Sequence, residues 1–236
     1  MSTSFIILAA GLGSRLGGSV PKPLTVLEDG RTILQQQLDN ITEVFGKEAL
    51  GSVIVVLGHR GEDIHEALPR QVKTVYNVDY ELTNTSKSLL QALSRVPRGN
   101  SALWLNGDVV FDADILRKAR AAVEADRSFV VVDEGSVADE EIKYSLDAEG
   151  LISELSKTVV GGLGEAVGIN HVGSTDRQFF LQALRAVGQQ DYFEAAMEVT
   201  IREGVEWLPL YAGDSYAVEI DFPEDLLRAN DAQATH

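Results

Sequence analysis

The stretch SFIILAAGLGSRL, residues 4–16, decides how the rest of the sequence is interpreted. Its first seven residues form a short apolar run of the kind that builds a buried β-strand. Glycines and small residues follow at once, so backbone N–H groups there can approach a polyphosphate closely. Arg15, together with Lys22 of a Pro-Lys-Pro segment, adds cations that can neutralise phosphate charge. The stretch therefore predicts a phosphate-binding loop after a strand, with tight structural packing as the alternative.

Two common phosphate-binding loops do not fit this stretch. A P-loop closes with Gly-Lys followed by Ser or Thr, and no such sequence closes this one. A dinucleotide fingerprint needs another glycine spacing and an acidic residue at the end of the second strand, which here closes with Gly58-His59. The loop, if it binds phosphate, belongs to another class of site.

The first half of the chain alternates apolar runs with amphipathic stretches, which is typical of a mostly parallel α/β sheet buried on both faces. The predicted strands are 4–10, 52–58, 72–76, 101–106 and 128–132, and the predicted helices are 32–45, 61–68, 85–95 and 112–125. After residue 133 we expect two short strands within 143–157, a strand at 166–172, helices at 174–187 and 191–203, strands at 205–210 and 215–219, and a helical tail from Pro223. With no linker or repeat, residues 1–236 are predicted to form one domain.

The composition excludes several classes of function. The chain has 236 residues, a formal net charge of −16 and no cysteine. The charge disfavours nucleic acid and anionic membrane surfaces, and the lack of cysteine excludes disulfides, thiolate zinc sites and cysteine nucleophiles. No apolar run approaches the roughly 20 residues that span a bilayer, and the opening lacks the basic segment of a signal peptide. We expect a cytoplasmic protein with no nucleic-acid or membrane partner. The sequence does not decide whether it forms a homodimer.

Carboxylates near two predicted strand ends point to a metal site. Asp108 follows Asn106-Gly107 at the end of a buried strand, where open α/β sheets bind their ligands. Mg²⁺ prefers one or two carboxylates together with phosphate oxygens, so Asp108 is a candidate ligand for it. In the segment Val218–Phe222, strand alternation puts Glu219 and Asp221 on one face, which offers a second carboxylate. Asp112 is expected only to cap the next helix.

Two further segments offer ligand-binding groups. A cluster of hydroxyl and amide side chains lies at a predicted helix start: Thr83, Asn84, Thr85, Ser86 and Ser88. One of them is expected to act as the N-cap, and the others can read a base edge or hold a phosphorylated substrate. Aromatic and acidic residues in the second half also suggest a pocket for a cationic amine, although most of these aromatic rings are expected in the core. Its candidate members are Tyr192, Phe193, Glu194, Trp207, Tyr211 and Tyr216.

The combination of LAAGLGSRL with Pro-Lys-Pro resembles the signature of nucleotidyltransferases that activate sugar phosphates and phospho-alcohols. From Tyr80, the pattern Tyr-x-x-Thr-Asn-x-x-x-Ser-Leu is similar to the branch that uses CTP with phosphocholine and related compounds. The resemblance implies a Rossmann-like three-layer fold with a small β-rich substrate-binding insertion. It divides the chain into a nucleotide-binding half, 1–133, and an acceptor-binding half, 134–236. The implied reaction is Mg²⁺-dependent transfer of a nucleotidyl group, CMP from CTP favoured, to a phospho-alcohol or phosphonate such as phosphocholine or 2-aminoethylphosphonate, with release of pyrophosphate.

The resemblance and the residue patterns together assign roles. The predicted catalytic residues are Arg15, Lys22 and Lys157. The predicted Mg²⁺ ligands are Asp108 and Asp221. The acceptor is predicted to contact Lys157, Tyr192, Glu194 and Glu219. The nucleotide is predicted to contact Leu8, Ala10, Gly11, Gly13, Ser14, Thr83, Asn84, Ser88 and Gly107.

Several alternatives stay open. The acceptor can be inositol 1-phosphate or a sugar 1-phosphate. Two features depart from the family pattern: the segment between Arg15 and Pro21 is short, and Thr85 stands where the family often has a second Asn. Both leave undecided whether the nucleotide substrate is CTP or another NTP. A non-catalytic nucleotide sensor would not need all of the predicted catalytic and metal-binding residues. A glycosyltransferase usually holds its metal through Asp-x-Asp, which Asn106-Gly107-Asp108 does not provide.

Overall fold

The computed structural model describes residues 2–13, 20–135 and 141–235. Its first strand, β1 (Thr3–Ala9), shows why the sheet is buried on both faces. Phe5 and Ile7 point into one hydrophobic cluster, whereas Ile6 and Leu8 point into another. Because side chains alternate along a strand, an uninterrupted apolar run must be covered on both sides.

The central sheet is mixed and mostly parallel, as predicted. Its strands run in the order β3 (Lys73–Tyr76), β2 (Val53–Leu57), β1, β4 (Ser101–Asn106), β9 (Gly164–Val172), β6 (Phe129–Asp133) and β10 (Leu208–Tyr211). β1, β2, β3 and β4 are parallel neighbours, β9 is antiparallel to both β4 and β6, and β10 is parallel to β6.

Helices cover both faces and give three layers. One face is covered by α1 (Ile33–Phe45) and α4 (Ala113–Glu124), which share a cluster with Phe5 and Ile7. The other face is covered by α3 (Thr85–Leu93), α5 (Arg177–Ala186) and α6 (Phe193–Arg202), around the buried rings of Trp104, Phe180 and Trp207. The short α2 (Gly61–Ala67) links β2 to β3.

Two small β elements lie beside the main sheet. A hairpin of β7 (Lys143–Leu146) and β8 (Ile152–Ser156) pairs with β9 through β7, and it is the predicted β-rich insertion. β5 (Val109–Phe111) pairs antiparallel with β11 (Ala217–Glu219), and α7 (Pro223–Thr235) follows. Of the helices in the described ranges, none is long and apolar enough to cross a membrane.

The predicted elements all form, with different bounds near the C-terminus. The strand predicted at 205–210 runs from Leu208 to Tyr211, and the one predicted at 215–219 begins only at Ala217. β5 is not predicted, because three residues directly after β4 show no period of their own. Lys22–Leu24 and Lys47–Ser52 form 3-10 helices that the apolar pattern also does not indicate.

Candidate active site

The C-terminal ends of β1 and β4 lie side by side at one edge of the sheet. Leu8 is in register with Asn106, and the N–H of Gly107 donates to the carbonyl oxygen of Leu8 at 2.9 Å. A Cβ at Gly107 would lie 2.4 Å from that same oxygen, so only glycine permits this approach. The contact places Asp108 next to the glycine-rich segment that follows β1.

The segment after β1 opens onto a cleft. Gly13 has a φ of +59°, which favours glycine. Among the residues that the structure describes, no atom lies within 4 Å of a Cβ placed at Gly11, so their packing does not require glycine there. Both glycines line the cleft with Leu8, Ala10 and Gly107. Ser14 and Arg15 lie outside the described residues.

Lys22 connects the two predicted metal ligands. Pro21 precedes the 3-10 helix that begins at Lys22, and the helix places the ammonium group between two carboxylates. Its Nζ donates to Asp108 Oδ2 at 3.2 Å and also to Asp221 Oδ1. Burial acts to lower the pKa of Lys22, but Asp108 and Asp221 outweigh it and raise that pKa, so the ammonium stays charged.

Asp221 reaches this position through β11. β11 pairs with β5, and the N–H of Ile220 donates to the carbonyl oxygen of Asp108 at 2.9 Å. Glu219 ends β11, and both acidic residues line a cavity beside the cleft, consistent with the predicted shared face. Burial raises the pKa of Glu219 well above its usual range, and the charges of Asp108 and Asp221 add to the effect. Burial likewise raises the pKa of Asp108.

These charges fit a divalent cation bound together with phosphate. Three carboxyl groups, those of Asp108, Glu219 and Asp221, interact with one ammonium group, so oxygen ligands outnumber the cationic group that neutralises them. Among the residues that the structure describes, no three His, Asp or Glu side chains are arranged as a complete metal site. Mg²⁺ typically takes one or two protein carboxylates and completes its shell with water and phosphate oxygens. The donor set therefore suits Mg²⁺ that arrives with a polyphosphate.

The hydroxyl-rich segment before α3 forms one side of the cleft. Thr83, Asn84, Thr85 and Ser88 line it, as does Tyr80. One member of the cluster is predicted to cap the helix, and it is Asn84, whose side chain accepts from the N–H of Thr85 at 2.8 Å. Thr85 Oγ1 accepts from the N–H of Phe193 at 3.2 Å, which ties the start of α3 to the start of α6.

A second cavity adjoins the cleft and brings together the residues predicted for the acceptor. Lys157 follows β8, and its Nζ lies 5.0 Å from the ring centroid of Tyr192. Glu194 and Glu219 share this cavity with them. The cleft and the cavity have three lining residues in common, Thr85, Asn106 and Glu219. A ligand in one can therefore contact a ligand in the other.

Glu194 is the most unusual group in this cavity. Only 7% of it is exposed, and its Oε2 is buried with no hydrogen-bond partner among the described residues. Burial raises its pKa to about 7, while Lys157 acts in the opposite direction. A buried carboxyl group without a partner is costly, and such groups concentrate at functional sites. Its oxygen is available to a cationic or hydrogen-bond-donating ligand.

The remaining aromatic candidates lie elsewhere. Trp207 is fully buried against Trp104 and Phe180, and Tyr216 packs with α7 and α1 in a separate small cluster. Tyr211 ends β10 and lines neither the cleft nor the adjoining cavity. Phe193 is core as well as cavity wall, so Tyr192 is the exposed aromatic ring of the cavity.

Sequence reasoning gave no role to four polar residues of the site. Tyr80 lines the cleft, Glu141 lines the cavity, and Asn106 lines both, with its Oδ1 buried and unpartnered within the described chain. Asn77 lies beneath the hydroxyl cluster and bonds to it. Asn77 and Asn106 stand at the ends of parallel strands, so the strand-end rule that pointed to Asp108 could have found them. For Glu141 no sequence signal exists.

Comparisons with known proteins agree on one class. A family described as MobA-like NTP transferase domain matches residues 5–155. A CMP-5'-(3-aminopropyl)phosphonate synthase from Streptomyces rubellomurinus is 29% identical over 95% of this chain and 38% of its own length. The chain spans less than half the length of the curated relatives it matches.

Two solved structures share the whole fold. The CTP:phosphocholine cytidylyltransferase of Streptococcus pneumoniae superposes with a TM-score of 0.77 at 17% identity, over 98% of this chain and 99% of that one. The inositol-1-phosphate CTP transferase from T. maritima gives a TM-score of 0.78 at 19% identity, over 99% and 95% of the two chains. At such identities the likeness establishes the fold.

Proposed function

Since the chain belongs to the family of MobA-like NTP transferase domains, we propose that it transfers CMP from CTP to a phosphonate or phospho-alcohol that carries an ammonium group, and releases pyrophosphate. The observation that carries the proposal is the Lys22 bridge between Asp108 and Asp221, beside an open glycine-rich segment. It combines a cation for phosphate with two carboxylates for Mg²⁺ at the edge where α/β sheets bind ligands. The synthase from Streptomyces rubellomurinus, with CMP and a phosphonate in its name, favours this choice of substrates.

The first half of the chain, up to residue 133, supplies the nucleotide site. Gly11 and Gly13 leave room for the triphosphate, and backbone N–H groups of this segment are its donors. Gly107 brings the end of β4 against the end of β1. Thr83, Asn84 and Ser88 face the nucleoside. Ser14 and Arg15 are assigned to the phosphates on the sequence pattern alone.

The reaction is an in-line displacement. An oxygen of the acceptor's phosphonate or phosphate attacks the α-phosphorus of CTP and forms the new P–O bond, while the bond to the β-phosphate oxygen breaks and pyrophosphate leaves. Asp108 and Asp221 would hold Mg²⁺, which supplies charge neutralisation on the phosphate oxygens. Lys22 would turn from the two carboxylates to the triphosphate. Positioning and charge stabilisation supply most of the acceleration, because little proton transfer is required.

The second half, 134–236, supplies the acceptor site. Lys157 carries positive charge to meet the acceptor's anionic group, and Glu194 with Glu141 presents negative charge to its amine. The ring of Tyr192 adds a surface on which a cation can lie. A zwitterionic acceptor matches this separation of charges. A sugar 1-phosphate has no positive group for the Oε2 of Glu194, which has no hydrogen-bond partner in the described parts of the chain.

The test is pyrophosphate release with Mg²⁺, measured over four NTPs against 2-aminoethylphosphonate, 3-aminopropylphosphonate, phosphocholine, inositol 1-phosphate and glucose 1-phosphate. We expect turnover with CTP and one of the three acceptors that carry an ammonium group. Asp108→Asn should reduce it at least about 100-fold, as expected when a metal ligand in a preorganised charge site is lost. Asp112→Asn is the matched control, because Asp112 caps α4 and Asn caps equally well. Turnover with glucose 1-phosphate alone would refute the proposed acceptor class.

A further inference from the structure

A hydrogen-bond network beneath the cleft centres on Asn77, the residue directly after β3. Asn77 is 3% exposed, and its Nδ2 donates to Thr83 Oγ1 at 2.9 Å and to Ser88 Oγ at 3.0 Å. Its Oδ1 accepts from the N–H of Asp79 at 3.2 Å. A backbone N–H can only donate, so this last bond fixes the orientation of the amide. Both amide hydrogens therefore face the two hydroxyl groups.

Asn77 thereby determines what each hydroxyl can offer a ligand. Thr83 accepts from Asn77 and donates its proton to the carbonyl oxygen of Asp79 at 2.9 Å. Ser88 also accepts from Asn77, but its proton has no acceptor within the ranges that the structure describes. Ser88 lines the cleft, so its O–H is left to donate into it. A hydroxyl proton without an acceptor favours a ligand that supplies one.

The strand order places this hydroxyl at the base end of the nucleotide site. The edge runs from β3 through β2 and β1 to β4. The glycine-rich segment follows β1, Asp108 follows β4, and the acceptor cavity lies beyond, near β8 and α6. A nucleotide with its phosphates over β1 and its reacting phosphorus toward Asp108 extends its base toward β3. Asn77 and Ser88 lie on that side.

We propose that Asn77 is a positioning residue for base recognition, which holds Ser88 as a hydrogen-bond donor to a ring acceptor of the pyrimidine. The inference rests on the proposed function, because it needs a nucleotide in this cleft. Cytosine offers N3 and O2 as acceptors on its pairing edge. A donor held in place against them adds affinity that the triphosphate alone does not receive.

Asn77→Asp tests the inference because it preserves shape and exchanges the two donors for an acceptor. The new carboxylate accepts the Ser88 proton and withdraws it from the cleft. Ser88→Ala removes the hydroxyl altogether. If Asn77 acts through Ser88, the double variant binds CTP no more weakly than the weaker single variant, since the two changes remove one interaction.

Asn40→Asp is the matched control. Asn40 is a similarly buried asparagine whose Nδ2 donates to the carbonyl oxygen of Phe111 at 2.8 Å. It lies on α1, which covers the opposite face of the sheet from α3. Its replacement also sets a carboxylate against an oxygen, so it reproduces the cost in stability without touching the base end of the cleft.

The experiment measures dissociation constants by calorimetry for CTP and for inorganic tripolyphosphate, which has no base, with thermal melting of each variant. Asn77→Asp and Ser88→Ala should weaken CTP binding by about tenfold or more, the effect of one lost hydrogen bond to a ligand. Tripolyphosphate binding should stay within about twofold. Asn40→Asp should lower the melting temperature and leave both constants unchanged.

Two results would overturn the inference while the proposed function survives. Equal loss of CTP and tripolyphosphate affinity in Asn77→Asp would mean a structural role, and unchanged CTP affinity in both variants would mean no role. A wild-type protein that binds no CTP would instead refute the proposed function, and the inference with it.

Discussion

Lys22 Nζ donates to Asp108 Oδ2 at 3.2 Å, across 86 residues of sequence. The same ammonium group also bonds Asp221. One positive charge thus holds together the two carboxylates proposed for Mg²⁺. A lysine in this position competes with a metal ion, and a triphosphate that attracts the lysine removes the competition.

This relationship predicts that metal and nucleotide bind together. Wild-type protein without nucleotide should bind Mn²⁺, a spectroscopic substitute for Mg²⁺, weakly in electron paramagnetic resonance titrations, and CTP should strengthen the binding. Lys22→Met should strengthen nucleotide-free Mn²⁺ binding, because both carboxylates lose their counter-ion, and should abolish turnover. Lys118→Met is the control, since Lys118 bonds the carbonyl oxygen of Ala212 and the hydroxyl of Ser215, away from these carboxylates. Equal Mn²⁺ affinity in Lys22→Met and wild type would show that Lys22 does not compete with the metal ion for the two carboxylates.

Asp225 is predicted to keep Asp221 in place. Its Oδ2 accepts from the N–H groups of Asp221 at 3.0 Å and Phe222 at 2.7 Å, at the start of α7. Asp225→Ala should cost about 1 kcal/mol of stability, as the loss of a capping side chain does, and should lower kcat together with Mn²⁺ affinity in the presence of CTP. Asp225→Asn retains an acceptor oxygen, so its kcat and its Mn²⁺ affinity in the presence of CTP should be close to those of wild type. Full activity in Asp225→Ala would show that Asp221 needs no such support.

Two glycines at the cleft should respond in opposite ways to alanine. At Gly107 the added Cβ would lie 2.4 Å from a backbone oxygen, so the strands must shift, and Gly107→Ala should destabilise the fold by roughly 1–3 kcal/mol. At Gly11 the Cβ meets no atom of the described part of the chain, so Gly11→Ala should leave the melting temperature unchanged. It should nonetheless weaken CTP and tripolyphosphate binding, because the methyl group projects where the phosphates are proposed to lie. Unchanged tripolyphosphate affinity would remove Gly11 from the phosphate site.

The sequence predicts the family, the α/β fold and the order of its elements, and these predictions are confirmed. The apolar strand patterns are strong because the sheet is buried on both faces. Sequence also pointed to Gly107 and Asp108, since both follow a buried strand at the edge where ligands bind.

Long-range polar contacts are not visible in periodicity. Gln36 and Gln37 of α1 look like solvent-facing residues, yet both are buried, and their side chains donate to the carbonyl oxygens of Phe111 and Val109. They support β5, a strand too short to predict. The three side-chain hydrogen bonds of Asn77 likewise depend on the path of the chain between β3 and α3. The amino-acid composition of that segment does not determine the path.

Glu194 supplies the prediction that links stability to function. Burial raises its pKa in the folded protein to about 7, from an ordinary value of 4.5. Because the folded state holds the proton more tightly than the unfolded state, the carboxyl's contribution to stability is greatest below about pH 4.5 and is lost as pH rises through 7. A difference of about 2.5 pKa units corresponds to roughly 3 kcal/mol. Glu194→Gln stays neutral, so it should be more stable than wild type by up to about that amount at pH 8 and no more stable near pH 4.5.

The affinity for the acceptor should change with pH in the opposite direction to stability. Above pH 7 the carboxylate is charged and attracts the acceptor's ammonium group, so the KM for 2-aminoethylphosphonate should fall as pH rises through 7 in wild type. Glu194→Gln should raise that KM at pH 8 and flatten its pH dependence, with the KM for CTP nearly unchanged. Glu203→Gln, an exposed position just after the same helix, controls for the change in net charge. Chemical denaturation at the two pH values, with initial rates on the same samples, measures both effects. A variant that is stabilised at pH 8 but keeps the wild-type KM and pH profile would show a buried carboxyl group that does not contact the acceptor.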